Sequence, residues 1–194
     1  MNEEYEVKFI NVDPKTIQTK LKKLGAKKIF DRIYKIYVFD YPDFRLDDQH
    51  SWVRLRDEGD KITLTFKRRL STEKEFSGKN DKGMEEYETV VSDFEATHKI
   101  FMNIGMIQKF YEEKRRVRYI LDDMEFDLDF CPGLDPYLEI ESNSWANVDK
   151  AIELLGLDIN DKKIFSTSQI YKLKGIRMLD YKELSFRGMF LRDK

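Results

Sequence analysis

A single cysteine, Cys131, is all the thiol chemistry this 194-residue chain has. It excludes an internal disulfide, and with only two histidines, His50 and His98, there is no Cys/His cluster for a zinc site; both facts agree with a reducing compartment. Long apolar runs are missing too. None approaches the roughly 18 residues that a membrane span needs, and the opening MNEEYEVK is charged, unlike a secretory leader. The expectation is a cytoplasmic protein with no membrane partner. Net charge is nearly absent, since 35 Lys+Arg against 37 Asp+Glu leave −2 at pH 7, which excludes a histone-like polycation. Internal repeats, low-complexity tracts and a Pro-rich linker are also lacking. At about 100–200 residues per domain, the expected organisation is one domain over 1–175 and a tail over 176–194 whose apolar residues pack on the body or on a partner. What the chain has in abundance is charge of both signs: 37% of residues, beside 13% aromatic. So aromatic a chain is not disordered, and the question is where the charges sit.

Period-2 alternation predicts eight strands, at 3–10, 28–40, 51–57, 61–69, 84–91, 109–121, 124–130 and 136–142. Three helices are expected. The first follows Asp13-Pro14, an N-cap and a residue suited to the first turn, and stops at Gly25. The second spans 93–104 behind a capping box read from Ser92-Asp93-Phe94-Glu95, with Phe94, Phe101 and Ile104 on its apolar face. The third runs from Ser144 to Gly156 and buries Val148, Ile152 and Leu155. The stretches 41–50 and 71–83 read as loops.

Successive strand side chains point to opposite faces, so each strand can be sorted by parity. Glu4, Glu6 and Lys8 share a face against Tyr5, Val7 and Phe9; Arg54 and Arg56 oppose Val53 and Leu55; Lys67 and Arg69 oppose Phe66. Glu86 and Glu88 flank Tyr87, while Lys114, Arg116 and Arg118 share a face, as do Asp127 with Asp129 and Glu139 with Glu141. One reading is the solvated face of an antiparallel sheet. Same-sign doublets on one face repel, however. They become tolerable where the acidic ones share a divalent cation and the basic ones a polyanion. Eight strands also suffice to close a barrel with the charged face inward. Carboxylate oxygens suit Mg²⁺ or Mn²⁺, and Lys and Arg suit phosphate oxygens. The basic triplets Lys67-Arg68-Arg69 and Lys114-Arg115-Arg116, in a net acidic chain without a nucleic-acid module, read as local anion sites; no nucleic-acid partner is expected.

These residues resemble the CYTH superfamily, the triphosphate tunnel metalloenzymes, which includes class IV adenylate cyclases, thiamine triphosphatases and inorganic triphosphatases. Glu4-Tyr5-Glu6-Val7-Lys8 fits its ExExK signature, followed in order by WVRLRD at 52–57, TLTFK at 63–67, EEYE at 85–88, EKRRVRY at 113–119, FDLDFCPG at 126–133 and LEIE at 138–141. The resemblance implies an α+β, mainly β fold: a closed eight-stranded antiparallel barrel with a charged lumen and helices outside. It implies metal ligation by Glu4, Glu6, Asp129, Glu139 and Glu141, and triphosphate binding by Lys8, Arg54, Arg56, Lys67, Lys114, Arg116 and Arg118. Glu86 and Glu88 match its mid-barrel acidic pair and, with Lys8, are the candidate catalytic groups. The activity it implies is Mg²⁺- or Mn²⁺-dependent hydrolysis of a triphosphate compound, whether tripolyphosphate, thiamine triphosphate or a nucleoside triphosphate. The alternatives are a class IV-like cyclase making cyclic AMP and pyrophosphate from ATP, and a non-catalytic binder of phosphate compounds. Hydrolysis ranks first because MEFDLDF at 124–130 lacks the His-Phe of the cyclase strand. Resemblance to the cyclases also implies a homodimer.

Overall fold

The computed structural model describes residues 5–69 and 84–192. Glu4 and the 71–83 loop lie outside the described residues. All eight expected strands are present: β1 (Tyr5–Ile10), β2 (Lys27–Asp40), β3 (Ser51–Asp57), β4 (Ile62–Arg69), β5 (Met84–Val91), β6 (Ile107–Leu121), β7 (Met124–Phe130) and β8 (Tyr137–Ser142). They form a mainly antiparallel sheet in the order β1-β8-β7-β6-β2-β3-β4-β5. The path is open: among the described residues β1 pairs with β8 and β5 with β4, and no ladder joins β1 to β5. The closed barrel is therefore not what the pairing shows. Glu6 and Lys8 on one end strand, and Glu85, Glu86 and Glu88 on the other, are the kind of charged side chains that keep an edge strand from pairing further.

Helices follow their capping chemistry. Asp13 accepts from the Thr16 amide at the start of α1 (Pro14–Lys23). A four-residue helix, α2 (Arg45–Asp48), lies inside the stretch expected as a loop. For α3 (Phe94–Asn103) the cap is Asp93, whose carboxylate takes the Ala96 amide, so the capping box read from Ser92 starts one residue early. Ile104 is exposed, because the chain leaves the helix before completing the turn that would bury it. Ser144 and Gly156 bound α4 (Trp145–Leu155) as expected. A further helix, α5 (Thr167–Leu173), is held by a reciprocal Ser166/Gln169 capping box.

The chain divides into two compact units. In the first, Met1–Arg32 with Arg115–Ile176, the apolar face of β1-β8-β7-β6 carries Val7, Phe9, Leu138, Ile140, Phe126, Leu128, Val117 and Tyr119. Ile17 and Leu21 of α1 and Val148, Ala151, Ile152 and Leu155 of α4 close over it. In the second, Ile33–Lys114 with Arg177–Lys194, Phe39, Leu55, Phe94 and Met106 form the core. Here the tail folds as a hairpin, β9 (Tyr181–Ser185) and β10 (Gly188–Leu191), with β9 pairing in parallel with β6 at Tyr111 and Glu112 and Leu184 fully buried. No helix among the described residues is long and apolar enough to cross a membrane.

Candidate functional site

Register carries the charged residues of the first unit into rows, because directly opposed residues of an antiparallel ladder share a face. Lys8 stands opposite Glu139, which stands opposite Asp127, which stands opposite Arg118; Glu6, Glu141 and Glu125 form the next row. The rows bring Glu6, Glu139 and Glu141 together, with one oxygen of each lying within 4.8 Å of the others. Three carboxylates at this spacing are a hard-oxygen donor set, suited to Mg²⁺ or Mn²⁺ and unlike a zinc or copper site. Lys8, buried, contacts Glu6 and lies 3.2 Å from Glu139 Oε2.

Asp129 and the two arginines of β6 have another arrangement. Both carboxylate oxygens of Asp129 accept from Arg116, Nε to Oδ1 at 2.7 Å and Nη2 to Oδ2 at 2.7 Å. The same guanidinium reaches Asp127 Oδ2 at 2.6 Å and Glu139 Oε1 at 3.1 Å. Arg118 forms a second fork on Asp127, 2.8 and 2.6 Å, and meets Glu125 at 2.7 Å. Burial opposes the charge of Arg116, but Asp129, Glu139 and Asp127 outweigh it and hold this pKa well above the ordinary arginine value. Arg118 is raised in the same way: burial opposes its charge, and Asp127 with Glu125 overcomes it. The structure thus places these sequence-expected metal and phosphate groups in an internal ion network.

The second unit is electrostatically different. Along β3, β4 and β5, Arg54 opposes Thr65, which opposes Glu88, and Lys67 opposes Glu86. Lys67 meets Glu86 at 2.7 Å, whereas Arg54 is only loosely held, 4.0 Å from Glu86 and 3.8 Å from Glu88. The Arg54 Nε is buried and has no hydrogen-bond partner among the described residues. Burial, then the neighbouring Arg56 charge, pushes the Arg54 pKa down to about 10. Lys67 is lowered by burial and then by Arg54. Cations crowded out of water beside one another form a site that gains from a polyanion. Glu88 is oriented by the Thr65 hydroxyl, which donates to it at 2.9 Å. Lys114, on β6, is buried.

Two residues here escaped the sequence reading. Glu58 is buried and accepts from Arg56 Nε at 2.9 Å and Nη2 at 2.5 Å, fixing that guanidinium. Its position two residues beyond Arg56 puts it at the same parity, a signal available in WVRLRDE. Glu112 raises the Arg54 pKa against burial and shares parity with Lys114.

The depressed pKa values set a sign. At pH 7 Arg54 is charged both folded and unfolded, so its burial cost is fully present and is relieved only as pH rises from about 10 toward the ordinary arginine value. A bound polyanion relieves it at neutral pH. Inorganic tripolyphosphate at about 100 times its Kd is therefore expected to stabilise the wild type by about 2.7 kcal/mol, visible as a rise in Tm. Arg54→Met is expected to lose most of that rise in the same thermal scan.

Comparison with known proteins agrees with this architecture. The family model described as CYTH domain matches residues 2–172. A Methanocaldococcus jannaschii protein named "Putative adenylate cyclase MJ0240" is 28% identical over 180 residues, spanning 89% of this chain and 99% of that protein. Among solved structures, PH1012 from Pyrococcus horikoshii superposes with a TM-score of 0.69 at 24% identity, covering 87% of this chain and 99% of that one. HpAC1 from Hippeastrum, named a "Putative adenylyl cyclase" and described as revealing a dominant triphosphatase activity, gives a TM-score of 0.64 at 15% identity, over 89% and 95% of the two chains. At these identities the two structures show the shared fold.

Proposed function

The chain belongs to the CYTH family, and from that premise we propose that it is a divalent-metal-dependent triphosphatase. The observation that carries the reading is the convergence of Glu6, Glu139 and Glu141, a donor set for Mg²⁺ or Mn²⁺. Glu6, Glu139 and Glu141 would hold the cation, which would supply positive charge to phosphate oxygens and make the terminal phosphorus more electrophilic. Arg54, Arg56 and Lys67 bind phosphate oxygens, with Arg56 pre-set by Glu58. Lys114 belongs to the same unit as these three, and Lys8 stands beside the carboxylates of the first unit. Phosphoryl transfer asks mostly for positioning and charge neutralisation, which these groups provide. Glu88, held by Thr65, accepts a proton from the attacking water, and Glu86 keeps Lys67 in place. The titled activity of the Hippeastrum protein supports hydrolysis. The name of the Methanocaldococcus relative favours a second reading, ATP cyclisation by attack of the ribose 3′-hydroxyl on the α-phosphate.

The test is phosphate release from tripolyphosphate, thiamine triphosphate and ATP, each with Mg²⁺, Mn²⁺ or a chelator. Release that requires the metal is the expected result, and the preferred substrate names the organic group. Chelator-insensitive release, or none from any of the three, would overturn the proposal.

A further inference from the structure

Both oxygens of Glu139 are already taken by cations from this chain: Arg116 Nη2 lies 3.1 Å from Oε1 and Lys8 Nζ 3.2 Å from Oε2. A divalent ion joining Glu6, Glu139 and Glu141 meets both of these charges, and the repulsion falls on whichever can move. Arg116 is locked, since its other bonds are the two-point fork on Asp129 and the contact with Asp127. Lys8 is a point charge on a flexible four-carbon stem. Its backbone is pinned by a reciprocal pair with Lys163, N to O at 2.7 and 2.8 Å, so β1 stays while the side chain can swing. Glu6, the other carboxylate that Lys8 contacts, has a side chain 37% exposed, so an ion has a way in.

We propose that Lys8 is a built-in counter-ion of the carboxylate site, displaced when a divalent cation enters and thereby delivered to the phosphate chain. This rests on the metal-site reading above. It makes metal and triphosphate binding mutually reinforcing: the metal releases the ammonium that phosphate uses, and phosphate holding that ammonium away favours the metal by the same factor. Without metal, Lys8 stays on the carboxylates.

The test uses metal alone. Calorimetric Mn²⁺ titrations are made on the wild type, Lys8→Met, Lys8→Gln and Glu6→Gln, without phosphate. Both lysine variants are expected to bind Mn²⁺ about 10-fold more tightly than the wild type, within the usual range of coupling. Equal or weaker binding in both, with Glu6→Gln losing affinity, would overturn the counter-ion and leave the metal site standing. Wild-type affinity in Glu6→Gln would overturn the metal site and the counter-ion with it. A second readout does not need a lysine variant to be stable: in ¹³C-lysine-labelled wild type, one buried lysine Cε resonance is expected to shift on adding Mg²⁺. A full set of lysine resonances that ignores Mg²⁺ would contradict displacement.

Discussion

Glu6→Gln is expected to lower metal-dependent phosphate release by about 10³-fold, because a carboxylate that shares a divalent ion contributes several kcal/mol to stabilising transition-state charge. The variant should fold normally. The Glu6 side chain is 37% exposed, and glutamine keeps its shape. Raising the metal concentration should recover part of the rate, the mark of a lost ligand as opposed to a lost acid or base. Steady-state rates against Mn²⁺ concentration, with circular dichroism as the fold control, make the check. A variant with wild-type rates at limiting metal would remove Glu6 from the site. Glu139 is different: it partners both Lys8 and Arg116 in the interior, so Glu139→Ala is expected to lose stability together with activity.

The second large effect is on stability. Asp129→Ala removes both acceptors of the Arg116 fork and leaves a buried guanidinium with two of its three carboxylate neighbours. Breaking a buried pair from one side costs about 3–5 kcal/mol. Because Asp127 and Glu139 remain, the loss should fall near the low end, roughly a 6–12 °C drop in Tm for a domain of this size. The drop should be the same with a chelator present, since the interaction broken is between protein groups. Thermal unfolding of the wild type and Asp129→Ala, each in chelator and in Mn²⁺, decides the matter; a drop that appears only with metal present would instead make Asp129 a metal ligand.

Parity made most of this fold legible. Alternation alone located all eight strands of the main sheet and separated Val7, Phe9, Leu138 and Ile140 from Glu6, Lys8, Glu139 and Glu141. The caps Asp13 and Ser144 fixed two helices, whereas two adjacent candidates, Ser92 and Asp93, left the start of α3 ambiguous by one residue. Parity names which residues share a face but not which of them meet. Only register shows that Arg116 opposes Asp129 and Arg118 opposes Asp127, so that these charges pair with each other. Register likewise brings Glu6 beside Glu141. Among the described residues, pairing also leaves β1 and β5 at the two ends of the strand order, which no count of strands could reveal. The C-terminal hairpin was hidden because four- and five-residue strands are too short to show a period.

On the proposed reading, this chain cleaves the terminal phosphoryl group of a triphosphate with a metal held by Glu6, Glu139 and Glu141. The most direct measurement is ³¹P NMR of ATP incubated with the protein and Mn²⁺ quenched into chelator, which resolves both ends of the phosphate chain in one tube. Terminal cleavage yields ADP and orthophosphate in equal amounts, lost with chelator and lowered about 10³-fold by Glu6→Gln. Pyrophosphate with cyclic AMP would contradict it, placing the bond broken at the α-phosphate.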